Sequence, residues 1–313
     1  MAQIFYMMVG LPGSGKTTKA KELSKALPFA EKVVVHSSDA IRAELLGDAN
    51  DQTQQDLVFK TLHQRIFDDL RGGNSVVYDA TNIHYKHRRA FLHSLRGLHI
   101  PDLRTVCVFM ATPIEACLRY NENRNRVVPN DVISQMYRKF DVPMYAEGWD
   151  KIEVCNAPTF VSGCIDDKLR FLSQIAHDNP HHTLTIGQHC MAAWSYMREH
   201  YPNTDDVLLR AMLLHDFGKE RTKSFVDSKG NPCKTAHYYN HERVGAYESF
   251  RYTGDLSDDE ATGVALLIRW HMAPFVVKKS NHPPKTEAKF KGLLGEQTWE
   301  RIMVMNNCDR NAH

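Results

Sequence analysis

The chain has 313 residues, 42% hydrophobic and 24% charged, with a formal net charge of +2. That is an ordinary soluble composition with room for two hydrophobic cores. So small a charge says nothing about nucleic acid, and any contact with a polyanion would have to come from a local basic cluster.

No stretch approaches the ~18 apolar residues of a membrane span, and no membrane partner is expected. Seven cysteines, odd in number and without a C-x-x-C pair, argue against a disulfide framework and for a reducing cytoplasm. Met1-Ala2-Gln3 leads straight into an apolar run, which reads as a chain without a secretory leader.

In chain order, Ile4–Val9 is predicted as a strand. Gly10-Leu11-Pro12-Gly13-Ser14-Gly15-Lys16-Thr17 follows and matches G-x-x-x-x-G-K-[ST] at every position, and Lys16–Ala26 is helical in pattern. Strand, glycine loop and helix are the context this motif requires. Glycines let backbone N–H groups turn inward around phosphate oxygens, and the helix N-terminus adds partial positive charge. Gly10, Pro12, Gly13, Ser14, Gly15, Lys16, Thr17 and Thr18 are therefore candidate ATP-binding residues. Lys16 is expected at the β/γ-phosphates and Thr17 at Mg²⁺.

Residues 33–36 read as a second strand, followed by Ser38-Asp39-Ala40-Ile41-Arg42. A carboxylate at a strand's carboxyl end, beside the phosphate site, can take the proton of an attacking hydroxyl. Asp39 also suits a plain helix cap, and position alone does not separate the two. Residues 51–70 carry Leu57, Leu62, Ile66 and Leu70 at helical spacing. Strand-like residues 75–78 run into Asp79-Ala80-Thr81-Asn82, which can shape an acceptor groove, and 105–110 are again strand-like. Arg119, Arg124 and Arg126 then precede Pro129 and a helical segment at 131–140. They suit a lid that stabilises charge on a transferring phosphoryl group, or a solvated basic turn. The alternation predicts an α/β domain, a parallel sheet flanked by helices.

Together, the glycine loop, Ser38-Asp39-x-x-Arg42, Asp79-Ala80-Thr81-Asn82 and Arg119…Arg124-x-Arg126-x-x-Pro129 resemble the polynucleotide 5′-kinase family over residues 1–150. The resemblance implies ATP with Mg²⁺ at Lys16 and Thr17, and Asp39 as general base for a 5′-hydroxyl. It implies Arg42, with Asp79, Thr81 and Asn82, as contacts to the acceptor's terminal phosphate. Arg124 and Arg126 become the lid arginines.

Residues 151–167, near Gly148 and containing Pro158 and Gly163, read as a junction, and 168–313 as a second, helical domain. Eleven of the 17 histidines follow Ala176, which marks the change of chemistry. Leu214-His215-Asp216-Phe217-Gly218-Lys219 ends an apolar helical run, with His189 before it and His241, His271 and Asp309 after it. Imidazoles and carboxylates from separate helices suit Mn, Fe, Co, Ni or Zn.

The pattern H…HD…H…H…D resembles the HD phosphohydrolase superfamily. The segments 179–189, 214–219, 237–246 and 269–272, with Asp309, are more specifically similar to the HD domain of bacterial CCA-adding tRNA enzymes. That implies an all-α bundle with His189, His215, Asp216 and Asp309 as core ligands. His241 and His271 would serve a second metal, and Lys219 would contact phosphate.

A 5′-kinase and a phosphohydrolase together fit the healing of broken RNA or DNA. One phosphorylates the 5′-hydroxyl; the other clears a 3′-phosphate or 2′,3′-cyclic phosphate, ahead of a separate ligase. Two alternatives remain open. One is a small-molecule or nucleoside kinase joined to a nucleotide phosphohydrolase. The other is a nucleotide-gated module whose HD half is a metal-bound scaffold.

Overall fold

A computed structural model describes residues 3–26, 33–124, 126–156, 163–179 and 183–312. Met1, Ala2, Asn125, Pro158 and the Pro180-His181-His182 stretch lie outside the described residues. The chain divides into two compact units: Met1–Tyr137 with Pro143–Phe160, and Arg138–Val142 with Val161–His313.

In the first unit the elements run β1 (Ile4–Val9), α1 (Lys16–Ala26), β2 (Val33–Ser37), α2 (Ser38–Leu46), α3 (Gln55–Arg71) and β3 (Ser75–Asp79). They continue with α4 (Tyr85–Arg96), β4 (Arg104–Met110), α5 (Ile114–Glu122), α6 (Asn130–Arg138) and β5 (Lys151–Cys155). The sheet order is β2-β3-β1-β4-β5, with every pair parallel. A strand covered on both faces is apolar throughout rather than alternating. Accordingly, Phe5 through Val9 of central β1 are all buried.

The stripe of α3 starts one residue later than its sequence pattern predicts. Val58, Leu62, Ile66 and Leu70 are buried while Leu57 is 46% exposed. Four-residue steps stay on one helix face, and the five-residue step from Leu57 to Leu62 leaves it.

The predicted junction at 151–167 needs correction, because it opens on β5, the fifth strand of the sheet. Its register runs Val106↔Lys151 through Met110↔Cys155. Only Ile152 of β5 is fully buried, so this edge strand lacks the apolar run that marked the others.

Arg88 of α4 lies 1% exposed. It is held by Glu147 through Nε (2.7 Å) and Nη2 (2.6 Å), and its Nη1 donates to the Asn82 carbonyl at 2.8 Å. Removing one partner of a buried pair strands the other charge, at a cost of about 3–5 kcal/mol. Arg88→Met should lower the stability of the first unit by that much in urea unfolding. Arg88→Met with Glu147→Leu should recover part of the loss.

The second unit contains α7 (Ile165–Leu172), α8 (Ile186–His200), α9 (Asp206–Leu214), α10 (Lys219–Thr222), β6 (Ser224–Val226) and β7 (Pro232–His237). It ends with α11 (His241–Glu248), α12 (Asp258–Trp270), α13 (Ala273–Lys279), α14 (Pro283–Leu294) and α15 (Glu296–Arg310). Among the described residues it is helical, as expected, apart from the antiparallel hairpin of β6 and β7 and an isolated antiparallel bridge between Ala176 and Thr185. Asp227 Oδ1 ties the turn by accepting from the backbone N–H of Lys229 and Asn231, each at 2.8 Å. The hairpin's strands bury only Ala236, too few residues to show alternation.

The stripe of α8 is Ile186, His189, Cys190, Ala193 and Met197. Met191, though apolar, lies off that face and is 40% exposed.

Candidate active sites

In a parallel α/β sheet, ligands bind beyond the carboxyl ends of the strands. The loops leaving β1, β2, β3 and β4 all meet there in the first unit. Gly13 and Gly15 have φ of +78° and +92°, a conformation that costs glycine little. A Cβ on Gly13 would also lie 2.1 Å from the Cys117 carbonyl oxygen, so α5 packs on the loop too closely for any side chain.

The loop start is tied to its neighbour: Gly10 N–H donates to the Thr81 carbonyl at 3.0 Å, and Asn82 Nδ2 donates to Met8 O at 2.9 Å. On the other flank, Thr112 Oγ1 donates to Ser14 O at 2.9 Å.

Lys16 is 8% exposed and curls into the loop, donating to Leu11 O at 2.6 Å and to Ser14 Oγ at 3.4 Å. Burial pushes its pKa down to about 8, and nearby Asp79 opposes this. Thr17 Oγ1 donates to Asp79 Oδ2 at 2.8 Å. Burial raises the Asp79 pKa, with the Thr17 hydrogen bond and the Lys16 charge acting against it. Asp79 thus stands against Thr17 at the mouth of the glycine loop. Pro12 is buried and Thr18 is exposed on α1.

Asp39 lies in the first turn of α2, whose cap position is Ser37, so it is not the helix cap. Its carboxylate pairs with Arg42 at 3.1 Å and with Arg126. Arg42, 4% exposed, also donates to Gln55 Oε1 at 3.0 Å. The Arg124 charge bears on both Lys16 and Asp79. Asn121, which the sequence did not single out, shapes the arginine turn: it donates to Val128 O at 2.7 Å and accepts from Val128 N–H at 3.0 Å.

In the second unit, His189, His215, Asp216 and Asp309 place ligand atoms within 4.8 Å of one another, as do Asp216, His241 and His271. All six predicted ligands are brought together, and Asp216 belongs to both groups. Within the first group the shortest contacts are His189 Nε2 to Asp309 Oδ1 at 2.8 Å, and 3.4 Å from His215 Nε2 to Asp216 and to Asp309.

The donors fit a metal. His215, His241 and His271 each use Nδ1 on the carbonyl three residues back, Met212, Tyr238 and Ile268, at 2.7, 2.8 and 2.7 Å. That bond fixes Nδ1 as the donor and turns Nε2 inward. His241 and His271 then face each other through Nε2 at 3.3 Å, an arrangement that a shared cation stabilises.

Burial, then its histidine neighbours, push His271 down to about 4, and burial also lowers His241. Burial acts against charge on His215 too, but Asp216 and Asp309 outweigh it and hold it up to about 10. Both carboxylates sit well below their usual range despite burial, Asp216 through the Lys219 and His215 charges and Asp309 through bonds to His189 and His215.

Gly218 closes the turn after the His215-Asp216 doublet, and a Cβ there would lie 2.1 Å from His241 O and 2.5 Å from Gly245 N. Gly218→Ala should therefore displace α11 and, with it, His241. The expected result is lower metal content by elemental analysis, with ATP binding by the first unit unchanged.

Sequence reasoning also missed His177, 1% exposed, whose Nε2 lies 3.2 Å from Lys219 Nζ. Burial and the Lys219 charge push it down to about 4. No motif marks it; only the fold brings it to the site.

Residues 5–143 match the AAA domain family (AAA_33), and residues 182–310 match the HD domain family. The chain is thus a P-loop kinase-type unit, a fold that takes ATP with Mg²⁺, followed by a helical HD unit, a fold that takes metal. Over 147 residues it is 29% identical to L-seryl-tRNA(Sec) kinase of Methanococcus maripaludis, covering 46% of this chain and 55% of that one. Over 151 residues it is 24% identical to Protein kti12 of Schizosaccharomyces pombe, covering 45% and 52%. The chain spans about half the length of the curated relatives it matches. Among solved structures, the Pnkp1/Rnl/Hen1 RNA repair complex aligns with TM-score 0.36 and 16% identity, over 52% of each chain. No helix among the described residues is long and apolar enough to cross a membrane.

Proposed function

We propose that this chain heals broken nucleic-acid ends. Its P-loop unit would transfer the γ-phosphate of ATP to a 5′-hydroxyl, and its HD unit would remove a 3′-phosphate or open and remove a 2′,3′-cyclic phosphate. The observation that carries the reading is one chain holding two phosphate-directed sites, each with its charged side chains already assembled. The finer resemblances to polynucleotide 5′-kinases and to the HD domain of CCA-adding enzymes belong to the same proposal. So does the relative whose name gives a tRNA-borne acceptor.

In the kinase step, Lys16 would leave Leu11 O for the β/γ-phosphates, and Thr17, oriented by Asp79, would hold Mg²⁺. Asp79 then serves the metal rather than the acceptor. Asp39 would take the 5′-hydroxyl proton once its pairs with Arg42 and Arg126 open toward substrate. Arg42, with Thr81 and Asn82, would meet the acceptor's terminal phosphate, and Arg124 and Arg126 the transferring group.

In the HD unit, His189, His215, Asp216 and Asp309 would hold one ion, and His241 and His271, with Asp216, a second. Bound metal there supplies a hydroxide nucleophile near neutral pH and a clamp on phosphate oxygens. Lys219 would meet the phosphate. The expected partners are RNA or DNA ends and a separate ligase. Seven free thiols support a reducing, cytoplasmic setting.

The test is incubation with ATP, metal and end-labelled RNA and DNA strands bearing 5′-hydroxyl, 3′-phosphate or 2′,3′-cyclic ends, beside free nucleosides and nucleotides. Turnover of strands supports the proposal. Turnover of free nucleosides and nucleotides alone favours the small-molecule alternative, and ATP binding without turnover favours the scaffold.

A further inference from the structure

We infer that His177 is a positioning residue for Lys219, setting the direction in which that ammonium meets a phosphate group; this rests on the phosphohydrolase reading above. Lys219 opens the short α10 straight after the His215-Asp216 turn and is only 6% exposed. Its ammonium has three N–H donors. One contact goes to Asp216 Oδ2 at 2.6 Å and a second to His177 Nε2 at 3.2 Å. Among the described residues the third N–H has no acceptor; the Tyr238 ring lies 5.5 Å away at its centroid. A lysine tied at one point swings on a flexible stem, whereas one tied at two points presents its remaining proton in a fixed direction.

His177 is built to be the second tie. Its Nδ1 donates to Leu184 O at 2.8 Å, which leaves Nε2 as an acceptor facing the ammonium. Its own carbonyl accepts from the Tyr238 hydroxyl, so the residue that lies beneath Lys219 also holds His177. The ring packs edge-on to His189, with centroids 5.6 Å apart at 86°. His177 is nevertheless outside both groups of metal-ligating residues. A buried histidine with only packing neighbours would be ordinary core. The lysine contact, together with a tautomer that suits it, gives this one a task.

The experiment is a double-mutant cycle on the metal-loaded protein with His177→Ala, Lys219→Met and the pair, plus His177→Gln. Two quantities are measured: 3′-phosphatase kcat and KM, and inorganic phosphate binding by calorimetry. His177→Ala should lower kcat about 10–100-fold, the range for losing a hydrogen bond to a charged group. Metal content and 5′-kinase activity should be unchanged. In the Lys219→Met background the same substitution should cost less than about twofold. His177→Gln, which keeps an acceptor, should recover part of the rate.

Additive losses in the cycle, metal loss in His177→Ala, or a wild-type rate in it would each overturn the inference. If no substrate is hydrolysed but phosphate binding depends on Lys219 and His177 non-additively, the phosphohydrolase reading fails and the positioning role stands. If there is neither hydrolysis nor phosphate binding, both fall.

Discussion

Lys16→Ala should lower 5′-phosphorylation at least ~10²–10³-fold, the usual cost of one preorganised charge-stabilising group, and leave 3′ processing within about twofold of wild type. Lys16 is the buried cation of the glycine loop, and its present partners, Leu11 O and Ser14 Oγ, belong to the loop itself. Substrate phosphates are stronger acceptors than either. Asp39 calls for a gentler change, because alanine would leave the Arg42 and Arg126 guanidinium groups facing each other without a counter-charge. Asp39→Asn keeps the shape and removes the base, and should cost ~10²–10⁴ in kinase rate. The reverse pattern is expected for His215→Ala and Asp216→Ala, with 3′ processing lost and kinase retained. The readout is product analysis on doubly modified strands beside thermal melting. A folded Lys16→Ala protein that loses both activities would sink the two-site reading.

Metal replacement should separate the units just as sharply. The HD cluster offers four imidazoles and two carboxylates, a donor set that favours first-row transition metals over Mg²⁺. The P-loop offers a hydroxyl, water and nucleotide phosphates, which suit Mg²⁺. Protein stripped of metal and given Mg²⁺ alone should recover full kinase and little 3′ phosphatase activity; Mn²⁺, Co²⁺ or Ni²⁺ should then restore the phosphatase. Elemental analysis should show the first ion reduced in His189→Ala and Asp309→Ala and the second in His241→Ala and His271→Ala. Asp216→Asn should affect both, since its two carboxylate oxygens face different histidine groups. Full phosphatase activity with Mg²⁺ alone would overturn the transition-metal assignment while leaving the HD fold in place.

The central strands and the glycine loop were legible because burial on both faces leaves unbroken apolar runs, and because the loop's chemistry is local in sequence. The HD cluster was legible as a pattern of histidines and aspartates, though no spacing along the chain says that His189 and Asp309 touch. What stayed hidden shares a physical cause. Strand β5 is an edge strand with one fully buried residue, and β6 and β7 are short with only Ala236 buried, so neither leaves a periodic trace. Leu57 and Met191 carry apolar side chains off the buried faces, where composition misleads. Arg88, Asn121 and His177 are polar residues buried by partners 59, 7 and 42 residues away. The role of such residues is created by tertiary contact, so no local pattern marks them. Asp79 was singled out for the acceptor, and its bond to Thr17 adds a tie to the glycine loop that no local pattern marks.

The Nδ1 bonds of His215 and His271 make each of them an anchor for its own helix as well as a proposed ligand. They occupy carbonyls in the closing turns of α9 and α12, where a helix otherwise leaves acceptors bare. Chelation and mutagenesis are therefore different injuries to this protein. Chelation would empty the proposed centre but leave the anchors tied, so the apo protein should keep its framework and take metal back without refolding. Alanine at either position frays the helix that carries it, and added metal will not mend that end.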